Sequence, residues 1–203
     1  AVRFYQTHYN ELLYYMNIFD FDKAIVLTKS IEEGLKKYES TIKASTRIGF
    51  YSNIGILFFV KQNWKIAQKW FSKIIKYPKS KTRIDIQSQA RLYNLIITYE
   101  LDDHDVLDDL HRATSRFLNN RATKYQFESV MLKELKQLFK AYQRTAIKEQ
   151  FKQFHTALQQ LRSDPFEQNA SGLEEFILWT ESKISKKPME VLLKEKKILS
   201  SNL

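Results

Sequence analysis

The sequence predicts an all-α fold, a superhelical stack of about four antiparallel helical hairpins closed by further helices at the C-terminal end. Three observations predict it. Only 4 Gly and 3 Pro punctuate 203 residues, far fewer than the turns of a many-stranded fold would need. Apolar residues recur at three- and four-residue steps through most of the chain, the period of a helix with one buried face. Similar hairpin-like stretches also return at a nearly constant interval. With 43% hydrophobic and 14% aromatic residues, the chain can furnish a core for such helices.

Over 4–18, Phe4, Tyr9, Leu12, Leu13, Tyr15 and Met16 stand at helical spacing. Asp20 or Asp22 offers the N-cap of a second helix, about 22–39, which turns Ala24, Ile25, Leu27, Thr28, Ile31 and Leu35 inward. A second hairpin joins about 43–61 to 64–77, with a break at Gln62-Asn63 and a stop at Pro78. The third pairs about 85–101 with 105–119 across an Asp-rich turn, and the fourth pairs 123–142 with 145–163, closed by Ser163-Asp164-Pro165. Two terminal helices follow, about 172–184 and 188–199, the last opening on Pro188 at a first-turn position. The expected organisation is an array over 1–163 and capping helices over 164–203 packed on it.

Composition excludes several functional classes. Without cysteine there are no disulfides, cysteine-based zinc sites or thiol chemistry. The most apolar run, IGILFFV at 54–60, is far shorter than the ~20 residues that span a bilayer. The chain opens on Ala without a signal pattern, so a trimmed or processed piece of a cytoplasmic protein is expected. Glycine is too scarce for a phosphate-cradling loop, no nucleophile elbow occurs, and His8 and His155 stand alone. No enzymatic activity, cofactor or metal is expected. His104, Asp108 and His111 would share a helix face, but the Asp-rich turn reads more simply as carboxylates facing a helix N-terminus.

Aligning the hairpins on asparagine exposes an internal repeat. YNELLYYMNIFDFDKA (9–24), SNIGILFFVKQNWKIA (52–67) and YNLIITYELDDHDVLD (93–108) put Asn10, Asn53 and Asn94 in one register. Leu12, Gly55 and Ile96 then coincide, as do Tyr15, Phe58 and Tyr99, and fourteen residues after each Asn come Ala24, Ala67 and Asp108. Phe21 and Trp64 stand before the alanines, where a small side chain lets the two helices of a hairpin approach closely. On these residues the chain resembles the tetratricopeptide repeat (TPR) family, with spacings of 43 and 41 residues against about 34 in the family.

The resemblance implies a non-enzymatic scaffold that binds a protein or peptide in a concave groove lined by the first helix of each unit. By register that groove would hold Tyr9, Leu13 and Met16, then Ser52, Ile56 and Phe59, then Tyr93, Ile97 and Glu100. Leu13 and Ile56 stand where the family's carboxylate-binding version has Asn and Lys, so an acidic C-terminal tail is not the implied ligand. The terminal helices could instead fold back and fill this face.

A second reading comes from charge. The formal net charge is +10, and 61–83 carries Lys61, Lys65, Lys69, Lys73, Lys76, Lys79, Lys81 and Arg83 with no Asp or Glu. The stripe from Lys65 to Arg83 could follow phosphates in an RNA- or DNA-binding module. A solvated outer face explains the same lysines, because Trp64, Trp70 and Phe71 point toward the core by period. A further basic ridge runs through Lys133, Lys136, Lys140, Arg144, Lys148 and Lys152.

Overall fold

The computed structural model describes residues 2–77, 82–121 and 125–201, and among them the regular structure is entirely helical. The chain divides into two compact units, Ala1–Gln87 and Ser88–Leu203. No described helix is long and apolar enough to cross a membrane.

The first unit holds α1 (Val2–Asn17), α2 (Phe21–Lys37), α3 (Ala44–Val60) and α4 (Trp64–Ile75), followed by the opening turn of α5 (Ile84–Glu100). Each helix lies within a few residues of the span its periodicity predicts; Pro78, the expected stop after α4, lies outside the described residues. Of the two N-caps offered for α2 it is Asp20 that serves, accepting the Lys23 N–H at 3.3 Å, and at the expected break Asn63 caps α4 by accepting the Ile66 N–H at 3.5 Å. Apolar on nearly every side, α3 is the central helix, with Phe50, Leu57 and Phe59 fully buried. It meets α4 where Gly55 faces Phe71; a Cβ built on Gly55 would stand 2.8 Å from that ring.

The second unit holds the rest of α5, a 3₁₀ turn over His104–Val106 that leads into α6 (Leu107–Asn119), then α7 (Gln126–Phe139) and α8 (Arg144–Arg162). After a 3₁₀ turn at Glu167–Asn169 come α9 (Leu173–Ser185) and α10 (Met189–Ser201). The expected closing signal at Asp164 has a specific task. Its carboxylate accepts the N–H groups of Phe166 and Glu167 at 2.8 and 3.0 Å, which aims Glu167 back at α7. There Glu167 accepts the Gln126 and Phe127 N–H groups, both at 2.8 Å, and so caps α7 from 40 residues away. The stretch 164–203, expected as capping helices packed on the array, belongs to this unit, with α9 packed on α8 and α10 on α9. Its core gathers around Trp179, which is fully buried and meets Phe151 and Phe154 edge-on at 5.3 and 5.9 Å.

Three helix-to-helix turns share one backbone path. Phe19, Gln62 and Asp102 adopt left-handed conformations, with φ of 59°, 54° and 59°. In each, the left-handed residue donates to the carbonyl three back (Met16, Phe59, Tyr99) and its successor to the carbonyl five back (Tyr15, Phe58, Thr98). The residues that follow, Asp20, Asn63 and Asp103, have closely similar φ and ψ.

This geometry corrects one detail of the asparagine alignment. The third copy reaches its left-handed residue eight positions after Asn94, where the first two take nine from Asn10 and Asn53. Counted from the turn, the partner of Ala24 and Ala67 is therefore Leu107, buried as they are, and Asp108 is exposed one step beyond.

Candidate functional site

The first helices present their expected faces unequally. In the first unit Tyr9, Leu13, Met16 and Ile56 are half-buried, while Ser52 and Phe59 lie in the core. In the second unit Tyr93 and Ile97 are fully buried. The Tyr93 ring sits edge-on to Phe176 of α9 at 4.6 Å, and burial pushes its phenol well above the usual tyrosine range. Glu100 accepts the Trp179 indole N–H at 2.6 Å and pairs with Lys183 at 2.5 Å. Helix α9 thus covers this face of α5, and Ser52, Phe59, Tyr93 and Ile97 present no surface to a partner.

Among the described residues, the first unit opens a cleft of about 520 Å³ between α1 and α3. From α1 come Val2, Tyr5, Gln6, Tyr9 and Asn10, whose three- and four-residue steps make a single stripe. The connector after α2 adds Thr41 and Lys43, the first turns of α3 add Ser45, Thr46 and Gly49, and Arg83 closes one end. No lining residue is acidic. Helix α3 begins at an extended Lys43 with no side-chain cap and no acid in its first turn. The tyrosine rings are held in place: Tyr9 is edge-on to Phe50 at 5.2 Å and Tyr5 edge-on to Tyr38 at 6.3 Å. Arg83 spends its guanidinium on Asp85, with Nε at 3.1 Å from Oδ1 and Nη2 at 2.8 Å from Oδ2. Sequence reasoning named Tyr9 as a groove residue and Arg83 as part of the basic run, and missed the others, whose proximity depends on how α1 lies against the start of α3.

The basic run is divided among local acids. Lys61 pairs with Asp22 at 3.1 Å, and Lys69 and Lys73 converge on Glu32 of α2 at 3.7 and 3.2 Å. Partial burial pushes the Glu32 carboxyl up, but the Lys73 hydrogen bond and the charges of Lys73, Lys69 and Lys36 together outweigh it and hold the group below its usual range. Lys73 also lies 3.7 Å over the Trp70 ring. Lys65 and Lys76 are exposed, and Lys79 and Lys81 lie outside the described residues.

The histidines serve local structure. His111 Nε2 is 2.9 Å from the Leu132 carbonyl oxygen, His155 Nδ1 2.9 Å from the Thr180 hydroxyl, and His104 Nε2 2.7 Å from Asp102. Among the described residues no three His, Cys, Asp or Glu side chains converge as a metal site would require. A second cleft, of about 460 Å³, lies in the second unit and is acidic: Glu100, Asp102 and Asp108 line it beside Tyr99, Phe139 and Tyr142, with no Lys or Arg.

No family model matches the sequence, and neither a curated protein nor a solved structure matches it.

Proposed function

We propose that the chain is a non-enzymatic, TPR-like binding module that takes a peptide segment of a protein partner on the α1–α3 face of its first unit. The observation that carries this reading is the cleft itself, which opens on the first-helix stripe containing Tyr9. A preformed concavity with rigid aromatic walls and a few polar groups is the usual character of such sites. The repeat reading is supported by the shared turn geometry at Phe19, Gln62 and Asp102, and by the burial of Ala24 and Ala67 where hairpin helices approach.

The test is selection from a random-peptide display library on the full chain, followed by anisotropy titration of a selected peptide. Tyr5→Ala and Tyr9→Ala should each weaken binding by tenfold or more, roughly the loss of one aromatic anchor, while Lys65→Glu with Lys69→Glu should leave it unchanged. Phe59 and Tyr93 are unsuitable for this purpose, because substitutions in the core test folding rather than binding. Selected peptides indifferent to both α1 substitutions would overturn the assignment.

A further inference from the structure

We infer that the α1–α3 cleft recognises a phosphate monoester carried by its peptide ligand, an inference that rests on the reading of this cleft as the binding face. The lining sets the sign of the ligand. Lys43 and Arg83 supply positive charge, Tyr5, Thr41, Ser45 and Thr46 supply hydroxyls, and the lining itself contributes no carboxylate, the Asp85 that pairs with Arg83 lying outside it. The sign is a local property, since the other cleft, in the second unit, has the reverse pattern of three acids and no Lys or Arg.

The geometry of the donors then selects among anions. A carboxylate is planar and is best met by a guanidinium fork with two parallel N–H groups. Here that fork is closed, because Arg83 already grips Asp85 through Nε and Nη2. What is left to an incoming anion is a Lys43 ammonium, which acts as a point charge, and the hydroxyls of Tyr5, Ser45 and Thr46, since the Thr41 hydroxyl already donates to the Tyr38 carbonyl at 3.1 Å. Donors of that kind, coming from α1 on one side and from the connector and α3 on the other, suit a tetrahedral dianion better than a planar carboxylate.

The same walls argue against a nucleic-acid strand. Binding a single strand needs ring faces on which bases stack and a succession of cations along the backbone. Tyr5 and Tyr9 are committed edge-on to Tyr38 and Phe50, and Lys43 and Arg83 supply the only positive charges in the lining. A concavity of about 520 Å³ accommodates a phosphoryl group and the side chains flanking it.

The experiment is a ¹H–¹⁵N NMR titration of the full chain at constant ionic strength in chloride. The probes are inorganic phosphate, the display-selected peptide in serine, phosphoserine and glutamate forms, and a mixed-sequence single-stranded RNA. The expected result is saturable shifts at Ser45, Thr46 and Gly49 with inorganic phosphate, and phosphoserine peptide binding about tenfold tighter than the serine form, the contribution of one charge-assisted hydrogen bond. Lys43→Ala, an exposed position, should abolish that preference, and Lys65→Glu should preserve it.

A peptide that shifts the cleft residues equally in its serine and phosphoserine forms overturns the phosphate assignment and leaves the binding face standing. Peptide shifts that map away from the cleft overturn both. Equal preference for glutamate and phosphoserine would show a site selective for charge alone, and RNA displacing phosphate from these residues would assign the site to nucleic acid; either result refutes the inference.

Discussion

Gly34 marks a close approach of α2 to α1: a Cβ built there would lie 1.9 Å from the Phe4 ring. Alanine at this position would gain up to about 1 kcal/mol of helix propensity, but the ring would have to leave its contacts with His8 and Tyr38, whose centroids lie 4.1 and 5.6 Å away. Overpacking of this kind costs about 1–3 kcal/mol, so Gly34→Ala should lower stability by about 1 kcal/mol net in urea denaturation. Combining it with Phe4→Ala should cost less than the sum of the two, because the clash is then absent. Tyr99 offers a test in pH. Burial pushes its phenol up to about 12, with the neighbouring Glu100 and Asp102 charges acting in the same direction. In the unfolded chain a tyrosine releases its proton near pH ~10. Between those values the unfolded state holds fewer protons, so stability is fully present below pH ~10 and declines as pH rises toward ~12. Tyr99→Phe should make the alkaline decline in urea midpoint shallower, with buried Tyr93 accounting for part of what remains.

At the scale of elements, the helices and their starts were legible because their signals are local. Asp20, one of two acids offered as an N-cap, and Asn63, at the expected break, both stand just before an amphipathic run, and both cap. The ends were harder to read. Glycine is the usual residue in the left-handed position after a helix, and this chain uses Phe19, Gln62 and Asp102 there. Replacing Gln62 with Gly should therefore raise stability by about 0.5–1 kcal/mol, a gain readable as a higher urea midpoint with an unchanged slope. Non-glycine residues at these turns also concealed the one-residue shortening of the third copy, which is why Leu107 was passed over in favour of Asp108. The faces of α3 and α5 were only partly legible. Register places Phe59, Tyr93 and Ile97 correctly along their helices, but their burial depends on what lies over them, and for Tyr93 that is Phe176, more than eighty residues later.

For the whole molecule, a net charge of +10 overstates how basic the described surface is in any one place. Asp22, Glu32 and Asp85 each meet part of the run that begins at Lys61. Composition reveals the excess of lysine and cannot reveal this pairing, because the acids come from other stretches of the chain. Binding to single-stranded RNA should accordingly be weak at near-physiological salt, with log K falling against log salt at a slope shallower than about −3, since few phosphates are neutralised. A steep, saturable dependence lost on Lys65→Glu with Lys69→Glu would instead move the function to that stripe. The recurring turn bears on how such a chain tolerates change. Ile18-Phe19-Asp20, Lys61-Gln62-Asn63 and Leu101-Asp102-Asp103 spell one path in three vocabularies, held by the same pair of carbonyls in the helix before. The first two residues of each are in that respect interchangeable spare parts: Leu101-Asp102, moved into the place of Lys61-Gln62, should find the same two carbonyl acceptors waiting, provided that Asn63 stays to cap α4.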